Sequence, residues 1–207
     1  MLSYFEYYQH KLCKIKSSGY FTEVVDELEN QTIYLRTFID TDVAFILKLG
    51  SDDLYRQTAG FAAIHTAEEA QKILQIYQKH PNDYVICLKA TNQPIGFIEL
   101  NERGIDERSH LADTREVGFI LLKEFWDQGY MTMALMLVFD HAFDEMKISE
   151  IWAGHYENNR RSAHFLQKIG FEFKYDVQMP FPFIEQANEK YYLLTPSRWQ
   201  RFRDKLR

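Results

Sequence analysis

The chain has 207 residues, a formal net charge of −6 and a hydrophobic fraction of 46%. This length and apolar content suffice for a sizeable core, so the composition excludes an intrinsically disordered protein. The acidic balance gives no support for nucleic-acid binding, which usually requires a basic face. We expect a helical N-terminal extension over residues 1–30 and a single domain over residues 31–207.

The cysteine, histidine and hydropathy patterns also limit the function. Cys13 and Cys87 fit no metal-ligand spacing and make no disulfide framework. The seven histidines are scattered, and we expect surface or helix-face positions for His155 and His164 rather than metal-ligand roles. No apolar run is long enough to span a bilayer, and no leader pattern opens the chain. These patterns favour a cytoplasmic protein without metal or membrane partner, acting as a monomer or homodimer.

The N-terminal extension carries an aromatic stripe at helical spacing. Its apolar members are Tyr4, Phe5, Tyr8, Leu12 and Ile15. This stripe predicts a helix that packs on the domain, and an oligomer contact is the alternative.

Beyond the extension, the predicted elements alternate between strands and helices. Asp40 is the expected N-cap of a first helix that Gly50 closes, and Thr66 with Glu69 forms a capping box for a second. Two further helices follow Gly129 and Asn159. Seven segments have the pattern of strands: Thr32–Phe38, Tyr84–Lys89, Ile95–Leu100, Arg115–Leu122, Ile148–Gly154, Phe171–Val177 and Lys190–Thr195. The order β-α-α-β-β-β-α-β-α-β-β predicts an α/β (α+β) fold with a mixed sheet and helices on its faces.

The segment between the fourth strand and the third helix has the pattern of a phosphate site. A strand feeds the loop Trp126–Tyr130, in which Gly129 lets the backbone approach a ligand closely. The amides of Gly129, Tyr130, Met131 and Thr132 lie in the first helical turn, where the positive end of the helix dipole favours an anion. Many helices begin after a glycine, so this pattern alone does not define the ligand.

Four motifs together resemble the GNAT superfamily of acyl-CoA-dependent N-acetyltransferases. They are Arg115-Glu116-Val117-Gly118-Phe119, Trp126-x-x-Gly129-Tyr130-x-Thr132, Asn159-x-x-Ser162 and Lys168-x-Gly170-Phe171. The resemblance spans about Thr32 to Thr195 and is nearest to the RimJ/RimL-like branch, which acetylates N-terminal amines of ribosomal proteins. It implies the GNAT fold, with a mostly antiparallel sheet of six to seven strands. The implied reaction moves the acetyl group of acetyl-CoA to a primary amine of a protein N-terminus or small molecule, by direct attack in a ternary complex.

The resemblance assigns most coenzyme A contacts to the backbone. The diphosphate would be held by the amides of Gln128, Gly129, Tyr130, Met131 and Thr132. The strand ending at Leu121-Leu122 would bond the pantetheine arm and supply an oxyanion donor. Asn159 would bond the pantetheine from the opposite side, or simply cap its helix.

Acetyl transfer also needs a base for the ammonium proton and an acid for the leaving thiolate. Glu116 is the first candidate base, and its alternative is a surface glutamate paired with Arg115 or Arg161. Glu99 is the second candidate and His155 the third. Ser162 falls where the resembled branch has a serine near the thioester sulfur, so it is the candidate acid, with a structural hydroxyl as the alternative.

Two rival functions remain open at this stage. Met131 and Asp127 depart from the family pattern at the diphosphate, which favours an acyl-CoA-binding or catalytically weakened sensor of the same fold. The aromatic N-terminal stripe favours an assembly protein. Residues 51–63, 101–114 and 178–189 are expected to be loops that line the acceptor pocket, and their pattern does not name the acceptor.

Overall fold

The strands form one mixed sheet. The computed structural model describes residues 28–103, 111–178 and 188–205. The strands are β1 (Leu28–Glu29), β2 (Ile33–Arg36), β3 (Asp83–Leu88), β4 (Pro94–Glu102), β5 (Thr114–Leu121), β6 (Glu150–Tyr156), β7 (Glu172–Gln178) and β8 (Asn188–Leu194). Their order in the sheet is β1-β2-β3-β4-β5-β6-β8-β7. The sheet is mostly antiparallel, and β5 pairs with β6 in parallel. This confirms the predicted fold class, with one strand more than the six or seven expected.

Six α-helices accompany the strands in the described ranges, five of them between strands and one after the last strand. They are α1 (Val43–Gly50), α2 (Asp53–Ala59), α3 (Ala67–Tyr77), α4 (Tyr130–Asp140), α5 (Arg160–Lys168) and α6 (Pro196–Asp204). None of the helices that the structure describes is long and apolar enough to cross a membrane. Residues 1–27 of the predicted helical extension (1–30) lie outside the described ranges, and Leu28 and Glu29, near its end, form strand β1.

Two of these helices were not predicted. Helix α2 lies in the segment expected to be a loop, where the Asp52 side chain accepts a hydrogen bond from the amide of Leu54 (2.9 Å) and Gly60 closes the helix at φ 67°. Helix α6 begins at Pro196 after Thr195. Both helices have ordinary start signals, an N-cap aspartate and a proline in the first turn. They were missed because each is short and follows another element directly.

The predicted N-cap of the first helix was wrong. Asp40 begins a short 3-10 turn, and α1 starts one residue after Asp42. The buried Asp42 carboxylate instead binds the guanidinium of Arg36 with both oxygens, at 2.7 and 2.8 Å, and accepts the amide of Ile39. This ion pair ties the end of β2 to the start of the helix.

The chain divides into two compact units, and the first comprises Met1–Phe97 with Ile120–Tyr130. Its apolar core joins α1, α2 and α3 to the sheet through side chains that include Phe38, Leu49, Leu74 and Phe97. Ile120 and Leu122, at the end of β5, are part of the same core, and Phe125 and Trp126 pack against it. Burial of these residues fixes the end of β5 and the loop that follows.

The second unit comprises Ile98–Phe119 with Met131–Arg207. Its core is aromatic around Phe139, whose ring contacts Phe143, Phe171 and Trp199 at centroid distances of 5.3–6.5 Å. The Trp199 indole also donates to the Asp140 carboxylate at 2.6 Å. These contacts tie α6 to α4.

Candidate active site

The parallel pairing of β5 with β6 covers only part of both strands. Thr114, Arg115 and Glu116 pair with Glu150, Ile151 and Trp152. Strand β5 then continues to Leu121 and β6 to Tyr156 without further pairs between them. Strands that separate in this way leave backbone groups on their facing edges for another hydrogen-bonding partner.

Hydrogen bonds fix the end of β5. The amide of Leu122 donates to the carbonyl of Ile95 at 2.8 Å. The carbonyl of Leu121 accepts the Trp126 indole N–H at 2.7 Å, and the Lys123 amide donates to the Tyr55 hydroxyl at 2.9 Å. Trp126 therefore holds the loop closed, a role that the sequence did not indicate. A pantetheine contact from the Leu122 amide would have to be shared with the Ile95 carbonyl.

The loop before α4 contains two residues with left-handed backbone. Gly129 has φ 83° and Asp127 has φ 60°. Helix α4 begins at Tyr130, immediately after Gly129, so the residue before this helix has no side chain to cap it. Asp127, Gln128 and Gly129 are exposed, and the Gln128 side chain donates back to the Glu124 carbonyl at 2.8 Å.

Met131 belongs to the core, since its side chain is only 8% exposed. Its bulk therefore does not extend over the outer face of the loop, and Thr132 follows it half-buried. Asp127 faces water, where counter-ions screen its charge. Both departures from the family pattern are thus accommodated by the fold.

Asn159 caps helix α5. Its side-chain Oδ1 accepts the amide of Ser162 at 3.0 Å. The capping alternative is therefore present, and any contact with the pantetheine arm would come from the Nδ2 group. Ser162 is half-buried in the first turn of α5.

The Glu116 carboxylate lies in an ion pair with Arg103. Arg103 Nε is 3.5 Å from Glu116 Oε2, and their side chains are 19% and 13% exposed. The guanidinium also lies 4.4 Å from the ring centroid of Trp152 and donates to the Tyr175 hydroxyl at 3.2 Å. The sequence predicted a possible arginine partner, but Arg115 instead faces Glu102 at 3.8 Å.

Arg103 was missed by the sequence reasoning, although a signal was present. Strand alternation puts Glu99 on the same face of β4 as Arg103, the residue that follows the strand. The contact of Arg103 with Glu116 depends on the register between β4 and β5, which the sequence does not reveal.

Glu99 lies over the backbone of β5. A Cβ atom placed on Gly118 would be 2.7 Å from Glu99 Oε2, which is closer than real contacts allow. Gly118 therefore gives the Glu99 carboxylate its room. The absence of a side chain at Gly118 thus leaves space for a carboxylate from the neighbouring strand.

His155 was expected at the surface, and this was wrong because it is 6% exposed. Its ring stacks on Tyr192, and Nδ1 lies 2.7 Å from the carbonyl of Tyr156, which requires Nδ1–H as the donor. Burial lowers the pKa of His155, and nearby Lys190 lowers it further against the opposing effect of the carbonyl bond. His155 is therefore enclosed and neutral at physiological pH. Within the part of the chain that the structure describes, no group of three or more His, Cys, Asp or Glu side chains could hold a metal ion.

Comparison with known families defines the class of protein. Residues 32–172 match the family described as "Acetyltransferase (GNAT) domain". The chain is 31% identical over 155 residues to the probable N-acetyltransferase YjcK of Bacillus subtilis (strain 168). The match covers 70% of this chain and 82% of that relative. The chain belongs to the GNAT acetyltransferase family and is an acyltransferase; the family's acetyl donor is acetyl-CoA.

Solved structures support the fold. A spermidine N-acetyltransferase from Vibrio cholerae, in complex with CoA and spermine, superposes with a TM-score of 0.67 at 18% identity, covering 83% of this chain and 99% of that one. A putative ribosomal-protein-serine acetyltransferase from Vibrio cholerae gives a TM-score of 0.65 at 15% identity, covering 84% and 100%.

Proposed function

We propose that this enzyme transfers the acetyl group of acetyl-CoA to a primary amine, of a protein N-terminus or a small molecule, by direct attack in a ternary complex. The observation that carries the proposal is the early end of the β5–β6 pairing at Glu116 and Trp152. A pantetheine arm contains two amides, and an extended chain with amides can pair with open strand edges.

The proposal also assigns contacts with coenzyme A to individual residues. The backbone amides of Gln128, Gly129, Tyr130, Met131 and Thr132 would hold the diphosphate, with no side chain capping α4 from position 129. Leu121 and Leu122 would bond the pantetheine arm from one strand, and Asn159 would donate to it from its Nδ2 group. Burial of the Met131 side chain supports the diphosphate contact.

The proposal assigns proton transfer to side chains near β5. A carboxylate on this strand face would take the ammonium proton, with Glu116 the first candidate and Glu99 the second. Ser162 would give its proton to the departing thiolate. A serine in the first turn of α5 supports placement in the RimJ/RimL-like branch, and the similarity in fold to the ribosomal-protein-serine acetyltransferase agrees with it.

The test is a calorimetric titration with acetyl-CoA, followed by a thiol-release assay. The acceptor panel contains peptides with free N-termini, polyamines and amino acids. We expect binding, and turnover with at least one class of amine. Absence of binding at high micromolar acetyl-CoA would contradict the proposal. Tight binding without turnover on any amine would favour the acyl-CoA sensor instead.

A further inference from the structure

We propose that Glu99, rather than Glu116, takes the proton from the acceptor amine, and that Glu116 is a positioning residue that acts through Arg103. This inference rests on the proposed acetyl transfer and names the carboxylate that performs one step of it. The observations concern one face of the second unit, where both carboxylates lie.

The first observation is where each carboxylate lies along β5. Glu116 is at the last position of β5 that pairs with β6. Glu99 Oε2 lies against Gly118, two residues further towards Leu121. At the usual rise of a strand this separates the two positions by about 7 Å. Glu99 is thus over the part of β5 that no longer pairs with β6, along which the proposal places the pantetheine arm.

The second observation is the surroundings of Glu116. Its carboxylate contacts Arg103, whose guanidinium is also held by the Trp152 ring and the Tyr175 hydroxyl. The Tyr175 ring in turn stacks on Tyr191 at a centroid distance of 5.4 Å. A carboxylate and a guanidinium that are both largely enclosed fix each other's orientation. This arrangement suits Glu116 to hold the acceptor side of the site in shape.

The third observation is the clearance at Gly118. The backbone of Gly118 does not have a positive φ, so its conformation does not require glycine. What a side chain would displace is the Glu99 carboxylate itself. The glycine at position 118 therefore leaves space for the carboxylate of Glu99, which is half-buried.

The proton balance is as follows. The acceptor enters as an ammonium ion, and Glu99 removes one proton to leave a neutral amine. Nitrogen forms a bond to the acetyl carbon while the carbon–sulfur bond breaks. Ser162 protonates the leaving thiolate and regains a proton from the second N–H of the amine. Glu99 then releases its proton to water, so the net products are the acetylated amine, coenzyme A and one proton.

The experiment compares Glu99→Gln, Glu116→Gln and Arg103→Met, with Glu102→Gln as the matched control. Glu102 is on the same strand as Glu99 but on the opposite face, where it faces Arg115. For each variant we measure kcat and KM for the accepted amine across pH, and the Kd for acetyl-CoA by calorimetry. The acetyl-CoA Kd serves as the check on folding.

We expect Glu99→Gln to lower kcat/KM for the amine by about 100-fold or more, as loss of a general base does. Its remaining activity should rise with pH in proportion to the neutral fraction of the amine. Glu116→Gln and Arg103→Met should each lower kcat/KM for the amine by about tenfold and keep the wild-type pH profile. A variant that combines these two substitutions should be no less active than either one alone, because Glu116 and Arg103 act as one unit. Glu102→Gln should stay within about twofold, as an exposed surface change does.

Gly118→Ala provides a second route if Glu99→Gln folds poorly. It keeps the carboxylate but moves it, and we expect about a tenfold lower kcat at an unchanged acetyl-CoA Kd, since a small misplacement of a catalytic group is costly. If Glu99→Gln and Gly118→Ala both keep activity within threefold of wild type, the inference about Glu99 is wrong while the proposed function stands. A larger loss in Glu116→Gln, together with a changed pH profile, would also overturn it and make Glu116 the base. A wild-type enzyme that acetylates no amine would remove the proposed function and this inference together.

Discussion

Helices α4 and α5 begin in different ways. Helix α5 follows Asn159, whose side chain accepts an amide of the first turn at 3.0 Å. Helix α4 follows Gly129, which has no side chain and a left-handed backbone at φ 83°. The Asn159 side chain satisfies one amide donor at the start of α5, whereas position 129 before α4 offers no side chain that could compete with an anion for the amides there.

The start of α5 is thus stabilised by a capping side chain, whereas the start of α4 is the proposed binding site for the diphosphate. A capping residue stabilises its helix whether or not a ligand is present. A glycine before a helix forgoes that stabilisation, and a bound diphosphate can replace it. Substitutions at the two starts should therefore divide between effects on unfolding and effects on coenzyme binding.

The largest expected effect concerns Met131, the buried residue at the start of α4, and it is an effect on stability alone. Met131→Ala should lower the free energy of unfolding by about 2–5 kcal/mol, because it leaves a cavity in the core. The Kd for acetyl-CoA should stay unchanged, because the Met131 amide rather than its side chain is assigned to the diphosphate. Urea denaturation and calorimetry measure the two quantities. Met133→Ala, at a half-buried position of the same helix, is the control and should cost less. A weaker coenzyme affinity in the folded Met131 variant would show that the side chain itself contacts the ligand.

Gly129→Ala should affect both quantities. An L-residue at φ 83° costs about 1–2 kcal/mol of backbone strain, and its methyl group would stand where the diphosphate is proposed to lie. We expect a Kd for acetyl-CoA raised about tenfold, equivalent to about 1.4 kcal/mol.

Gly60→Ala is the matched control for this change. Gly60 has φ 67° at the end of α2, so the strain is similar while no coenzyme contact is proposed. Equal changes in Kd for the two variants would mean that strain, rather than the diphosphate, explains the Gly129 result.

The sequence predicted the fold well but only part of this site. Strand alternation and the four GNAT-like motifs were enough for the fold class and for most elements in chain order, because seven of the strands have a recognisable pattern. They could not decide whether Asn159 caps or binds, because one amide side chain serves both purposes and the choice depends on geometry. The Arg103–Glu116 pair depends on strand register, and a register is a relation between distant segments. Helix α2 was missed because seven residues are too few for a periodic pattern.

Two substitutions of Asn159 can separate its observed capping bond from its proposed contact with the pantetheine arm. Asn159→Ala removes the cap and should lower the free energy of unfolding by about 1 kcal/mol. Asn159→Asp keeps an acceptor for the Ser162 amide, and a negative charge at this helix start is favourable, so stability should equal or exceed the wild type. Because aspartate has no N–H donor, its KM for acetyl-CoA should rise if Nδ2 contacts the pantetheine arm. A KM that is normal in the Asp variant would reduce Asn159 to a cap.

The smallest expected effect is at Asp127, the carboxylate in the α4 loop. Asp127→Asn removes a negative charge, and asparagine tolerates the left-handed backbone at φ 60°, so the loop should keep its shape. We expect the acetyl-CoA Kd to fall about twofold at low salt, with the difference disappearing at high salt because the charge is exposed and screened. Asp204→Asn, in α6, changes the net charge equally and should leave the Kd unchanged. Equal effects from both substitutions would mean that the overall charge of the protein, rather than a carboxylate near the diphosphate, sets this part of the affinity. An unchanged Kd in Asp127→Asn would place the diphosphate beyond the range of this carboxylate and weaken the assignment of the loop amides.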